Sequence, residues 1–257
     1  MIAERGAFPV VLGLEARKLA RAMVTRVATL AGLVLVTVAT AGGYAAAMHA
    51  SDTDLGRKAA SMVTSPGWDG YTALGATSVS ATTLLAVGVV MSWSVGREFT
   101  DGTMVGLFAV PPTLRSIAAA KMVATLSWAA LLGVGEAAML TTAGLMLGLG
   151  PAGAAGCFAV LALIAVLLSA SVLPVMWAAT RWRGYLAGIG FTLAILVITN
   201  LAAGFGLGSC IPWSIPIVWA AHQAEVGTPL LAVPVMTAAI GAWITYRSWD
   251  RLQLGAD

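Results

Sequence analysis

Few residues in this chain could do chemistry, and the most conspicuous is a carboxylate in apolar company. Glu136 falls in the middle of the run Met122–Leu149. An ionised acid at the centre of a bilayer costs about 2.5–3.5 kcal/mol on insertion scales. Glu136 is therefore expected to face a bundle interior or a cavity and to find a donor. Asn200 lies at a matching depth in the run Tyr185–Leu207, and Ser80, Thr82, Thr83, Ser169 and Ser171 add polar groups near that level. Glu136, Asn200, Ser80 and Thr83 are candidates for a substrate path; structural pairing, or a protonated and buried acid, is the other reading of Glu136. His49 and His222 border apolar runs on one side, with no GxSxG, HExxH or paired intramembrane acids, so catalysis is not expected. Cys157 and Cys210 lack a CxxC pattern and a histidine at ligand spacing, so neither a metal nor a redox centre is expected. A disulfide between them stays open.

The elements that must position these residues are helices in lipid. Hydrophobic residues make up 59% of the 257 and charged residues 10%, and mean hydropathy is +0.91. A soluble domain carries about 25% charged residues because its surface faces water. Six apolar runs stand out: Val27–Met48, Tyr71–Val95, Met122–Leu149, Gly156–Ala179, Tyr185–Leu207 and Leu230–Tyr246. A helix needs about 20 residues to cross a hydrocarbon core of about 30 Å. The fold class is all-α integral membrane with six transmembrane helices. The chain divides into an N-terminal interfacial part (1–26), the six-span bundle (27–246) and a tail (247–257), all one domain. The first run is too long for the apolar part of a signal peptide and follows 26 residues, so an uncleaved span is expected.

Charge sets the orientation. Of the 14 Lys and Arg residues, all but Arg57 and Lys58 flank the runs on one side, which places both termini in the cytoplasm of a cell (inner or plasma) membrane protein. The tryptophans agree: Trp93, Trp177, Trp182, Trp243 and Trp249 fall at inner boundaries, and Trp68, Trp213 and Trp219 near outer ones. The net charge of +3 is spread over those flanks and forms no basic aromatic stripe, so nucleic acid is not an expected partner. Membrane lipid is.

Three connections carry information. Residues 9–26 place Leu12, Ala16, Leu19, Ala20 and Met23 on one helical face and Arg17, Lys18 and Arg21 on another, the pattern of a helix lying in the headgroup layer. Residues 96–121 are longer than a turn needs. Asp101-Gly102 marks a break, Met104–Ala109 is predicted as a short helix, and Pro111-Pro112 ends it. Residues 208–229 are too apolar for a solvated loop and too broken by Pro212, Pro216 and Pro229 for a crossing. Re-entrant half-helices are expected, with Pro212, Trp213, Pro216 and Trp219 as an outer gate or a surface plug. Pro174 is expected to kink the fourth span. Gly144 and Gly148, Gly184 and Gly188, and Gly204 and Gly208 have the spacing of close helix packing. No phosphate-binding GxxxxGK[ST] loop is present, so any ATP that drives this protein binds another chain.

The combination of a basic amphipathic helix before the first span, Glu98, Gly102-Thr103, Pro112, Arg115 and Lys121 after the second, and Pro212-Trp213-Ser214-Ile215-Pro216 before the sixth resembles the permease subunit of ABC-2-type (type-2 ATP-binding-cassette) exporters, particularly the antibiotic-efflux and bacteriocin-immunity branch. The paired prolines depart from a common pattern with one. The resemblance implies a non-catalytic permease that pairs with a second permease, a homodimer rather than a heterodimer. Two cytosolic ATPase subunits would bind ATP and Mg. It also implies a coupling helix in 96–121, with Glu98, Asp101, Gly102, Thr103, Met104, Phe108, Arg115 and Lys121 passing nucleotide-driven motion to the spans. The cargo, whether an amphipathic small molecule, an antibiotic, a peptide or a lipid-like compound, would pass between the two permeases. A polysaccharide exporter and a non-transporting scaffold or sensor remain the alternatives.

Overall fold

A computed structural model describes residues 2–50, 52–63, 65–221 and 227–253. His222, the last four residues of the tail and the packing around Gly204 lie outside the described residues.

Helix α1 (Ile2–Arg21) ends where Ala22 turns extended, with ψ 133°. Helix α2 (Met23–His49) passes through one π-helical turn at Val38–Gly42. A short helix α3 (Asp54–Ala60) follows, its N-terminus capped by the Thr53 hydroxyl, which accepts from Gly56 N. Helix α4 (Gly67–Thr100) runs 34 residues unbroken. Next come α5 (Met104–Phe108) and α6 (Leu114–Met146), the latter capped by Thr113. Helix α7 (Ala154–Arg181) contains Pro174, and α8 spans Tyr185–Gly204. Helix α9 (Ile215–Ala221) and a 3₁₀ turn, Thr228–Leu231, lead into α10 (Ala232–Asp250). The helices α2, α4, α6, α7, α8 and α10 supply six membrane-spanning segments. The chain is an all-α integral membrane protein, as its hydropathy predicts.

These spans divide into two groups. Half or more of the apolar window of α4, α6 and α7 is buried, against 28% or less for α2, α8 and α10. The middle three therefore form the core. Helix α4 is its axis, packing on α2, α6, α7, α8 and α9. Since lipid is as apolar as leucine, close approach rather than hydrophobic transfer holds such helices together. Glycine provides it: a Cβ at Gly88 would lie 2.3 Å from Thr192, one at Gly188 2.6 Å from Ser92, and one at Gly133 2.6 Å from Ala165. Of the glycine pairs singled out by spacing, Gly144 packs on Trp68 and Gly188 on Ser92, whereas Gly148 meets open space. The contacts at Gly88, Gly96 and Gly133 have no such spacing to announce them.

Pro174 breaks α7 as expected, through a 3₁₀ turn in which Leu173 N bonds Ala170 O and Val175 N bonds Val172 O. Ser171 O is thereby left without its helical donor, and Trp213 Nε1 supplies one at 3.0 Å. The break also admits α10, because Gly241 lies against the proline ring, 2.5 Å from where its Cβ would stand.

Segment 208–221 folds inward from the face opposite the chain ends. Ser214 is fully buried and donates to Thr199 O at 3.2 Å, and Ile215, Pro216 and Trp219 are buried. The stretch around Ser214 is thus enclosed by protein, as irregular backbone at membrane depth must be, while Ser209 and Cys210 before it are exposed. Trp213 consequently sits against α7 rather than at a boundary, which corrects its expected placement. Trp249 keeps its expected level: it is fully buried and donates at 2.9 Å to Oγ1 of Thr180, one residue before the end of α7. Cys157 is buried, Cys210 is exposed, and both are free thiols.

At Gly96 a Cβ would come within 2.2 Å of the Tyr185 backbone nitrogen, and backbone has nowhere to yield. Gly96→Ala is expected to destabilise the purified protein by about 1–3 kcal/mol, read as an earlier thermal unfolding transition. Gly190→Ala, which meets nothing within 4 Å, should leave that transition in place.

Candidate functional site

At the face bearing the chain ends, three helices converge on one ammonium group. Lys121, near the start of α6, is 3% exposed and donates to Glu15 Oε2 at 2.8 Å, Glu98 Oε1 at 2.8 Å and Ser94 O at 3.0 Å. A lysine has three donors, and all three are used. Lys18 Nζ lies 2.7 Å from Glu15 Oε1 and 3.9 Å from Glu98 Oε1. Thr103 donates to the other oxygen of Glu98 at 2.5 Å. Two lysines balance two glutamates. The gap beside them is only about 10 Å³, room for at most about one water. Protein groups, not solvent, must therefore stabilise Glu15, Glu98 and Lys121, while the half-exposed Lys18 also meets water.

The sequence positions each partner for a local reason. Glu15 and Lys18 are one helical turn apart on α1. Ser94 and Glu98 stand one turn apart near the end of α4, and Gly102 adopts φ +70°, a left-handed turn that glycine makes without strain. That turn brings Thr103 back onto Glu98. The face of α1 against the bundle is Val11, Glu15 and Leu19; Ala16, Ala20 and Met23 are exposed. Of the expected apolar face, Leu19 is buried and Leu12 half-buried, and the Glu15 ion pair sits between the apolar contacts of Val11 and Leu19. Arg17 and Arg21 are exposed as expected, whereas Lys18 turns toward the cluster. Glu15 is the participant that sequence reasoning misses. Its signal is the one acid within the basic stretch 9–26, three residues before Lys18.

Beyond the cluster, Met104 anchors α5 in the core, while Val105 is 63% exposed and Asp101, Gly102 and Thr103 are exposed. Phe108 is half-buried. A cavity of about 250 Å³ opens between α5, Phe99, Arg183 and Leu252. Arg115 reaches Asp250 at the end of α10, 3.8 Å away, with both side chains half-exposed. Arg97 lies over the Trp93 ring, 4.7 Å from its centroid.

Deeper in the bundle, Glu136 is fully buried. Thr83 donates to its Oε2 at 3.0 Å, and Thr82 stands 3.4 Å from Oε1. Ser80 is buried but donates to Ala76 O of its own helix. Asn200 is exposed and donates to Leu196 O. The structure therefore joins Glu136 with Thr82 and Thr83 but not with Asn200 or Ser80. Matching depth does not fix the direction in which a residue points around its helix. Ser169 Oγ is buried without a partner among the described residues. An apolar cavity of about 500 Å³ lies between α2, α4 and α8, and Gly32 and Thr82 are in its wall.

The family model described as "ABC-2 family transporter protein" matches residues 11–200, nearly three quarters of the chain. The chain belongs to the ABC-2 transporter family. It is a multi-pass membrane component of an ABC transporter, a permease of the kind that works with a cytosolic ATPase subunit. No curated protein matches the chain.

In this permease the expected coupling residues fall into two sets. Asp101, Gly102, Thr103 and Arg115 reach the surface, with Phe108 half-buried and Met104 buried beside them. Glu98 and Lys121 are shut inside, where they can hold the surface residues in place but not touch a partner. Among the described residues, no three His, Cys, Asp or Glu side chains gather as a metal site.

Breaking a buried charge cluster from one side leaves uncompensated charge, which costs about 3–5 kcal/mol. Lys121→Met should therefore lower the thermal stability of purified permease by about that amount. The triple variant Glu15→Gln, Glu98→Gln, Lys121→Met should recover much of the loss. Arg115→Ala, at a half-exposed pair, should shift stability by less than about 1 kcal/mol.

Proposed function

We propose that the chain is the permease of an ATP-driven exporter, with both ends in the cytoplasm and α5 as the element on which a cytosolic ATPase docks. The buried ammonium cluster carries this reading. It fixes α1, the end of α4 and the start of α6 to one another, and α5 hangs between the last two. Force applied to α5 is delivered to two core spans and to the interfacial helix together. Nucleotide can shift a permease between states only if the ATPase contacts those states differently. A short helix on a rigid mount, with an exposed apolar residue at its tip, provides such a contact.

Two ATPase subunits would bind ATP and Mg, and a second copy of this chain would complete the transporter. The lightly buried spans α2 and α8, with Leu30, Val34, Leu193 and Val197 exposed, support a pairing face on that side. The cargo path would run along it, past the 500 Å³ cavity, toward segment 208–221 as the outer gate. The chain itself is non-catalytic in this reading. Amphipathic efflux substrates, antibiotics among them, suit its apolar walls.

Val105→Glu places a charge on the exposed tip of α5 without touching the cluster. Affinity-tagged permease purified from native membranes should bring down a P-loop ATPase, identified by mass spectrometry. The variant should reach the membrane in normal amount yet retain that ATPase at least tenfold less. Lys58→Glu, on the opposite face, should retain it fully. Equal ATPase recovery with Val105→Glu would remove α5 as the docking element.

A further inference from the structure

The setting of Glu136 points to the kind of cargo the permease accepts. Among the described residues no basic side chain pairs with this fully buried carboxylate; the ion pairs lie elsewhere. Its Oε2 has one firm donor, the Thr83 hydroxyl. Its Oε1 has a weak one, because Thr82 has a single hydrogen and two nearer acceptors, Ser78 O at 2.9 Å and Val79 O at 3.1 Å. An ionised carboxylate accepts at about four positions, and leaving it so sparsely matched in an apolar interior is costly.

The less satisfied oxygen faces the cavity wall. A Cβ at Gly32 would fall 3.1 Å from Oε1, and Gly32 and Thr82 both line the cavity between α2, α4 and α8. Gly32 and Thr82, with Leu132 beside them, thus stand between the carboxylate and about 500 Å³ of space. The remaining wall is apolar, with Val27, Leu35, Leu85 and Val89 among its residues. Its volume lies within the range of sites for drug-sized ligands.

We propose that this cavity receives a lipophilic cation, whose positive charge Glu136 balances from behind Gly32 and Thr82. Apolar walls take up the guest's hydrocarbon surface and the carboxylate selects its sign. Charges attract strongly across a few ångströms of low dielectric, and for the same reason an anion of equal size is repelled. The inference rests on the permease reading, since it names the cargo class of that path.

Purified permease in nanodiscs, without any ATPase, should bind tetraphenylphosphonium saturably above the background of empty nanodiscs. Tetraphenylborate, its anionic counterpart of similar size and shape, should bind at least tenfold more weakly. Glu136→Gln should lower phosphonium affinity at least tenfold without weakening borate binding, so a general loss of fold is told apart. Ala31→Trp, which fills the cavity, should lower both. Phosphonium affinity unchanged in Glu136→Gln or in Ala31→Trp overturns the proposal. So does wild-type protein that binds neither ion or prefers the borate. Because no ATPase is present, such a failure leaves docking at α5 standing, while the Val105→Glu test addresses the permease reading by itself.

Discussion

A lysine ammonium that cannot reach water must find protein acceptors for all of its hydrogens, and Lys121 finds them on two other helices. This requirement organises the face that carries the chain ends. It holds the rotation of α1, which turns Glu15 toward the bundle between Val11 and Leu19. It also fixes the end of α4 against the start of α6, since Glu98 and Lys121 stand 23 positions apart in the chain yet 2.8 Å apart in space. The loop closed by that contact is the one from which α5 projects. Replacing such a cluster with apolar groups need not cost stability, so its presence is better explained by the connection it enforces.

How much of this is legible in the sequence differs by level. The spans are readable because lipid leaves a backbone no other option, and the kink at Pro174 follows from a missing donor. Their ends are less so: α4 runs past its apolar run to Thr100, and α6 begins at Leu114, since a helix continues into water wherever caps and partners allow. Azimuth is the least accessible quantity. Asn200 and Glu136 share a depth but not a direction, and Glu15 is obscured by the basic residues around it. Trp213 has the sequence context of an interfacial residue, but the carbonyl freed by Pro174 gives its indole a partner inside the bundle.

The contrast between a well-buried trio of spans and three lightly buried ones has its own physical logic. Glycine contacts tie α4 to α8 at Gly88, Gly96 and Gly188, so α8 is fastened to the axis along one side while its other side stays open. Helix α2 is held on α4 and α6, yet it leaves a gap beside Gly32 in which an otherwise continuous wall is interrupted. Glu136, Thr82 and Thr83 collect at that gap.

The 34 residues of α4 form a stiff rod about 51 Å long, pinched part-way along where Gly88 meets Thr192 and gripped at one end by the lysine cluster. So stiff a rod cannot absorb a displacement at its Glu98 end locally and passes it along its length toward Tyr71, which donates to Leu140 O at 2.7 Å.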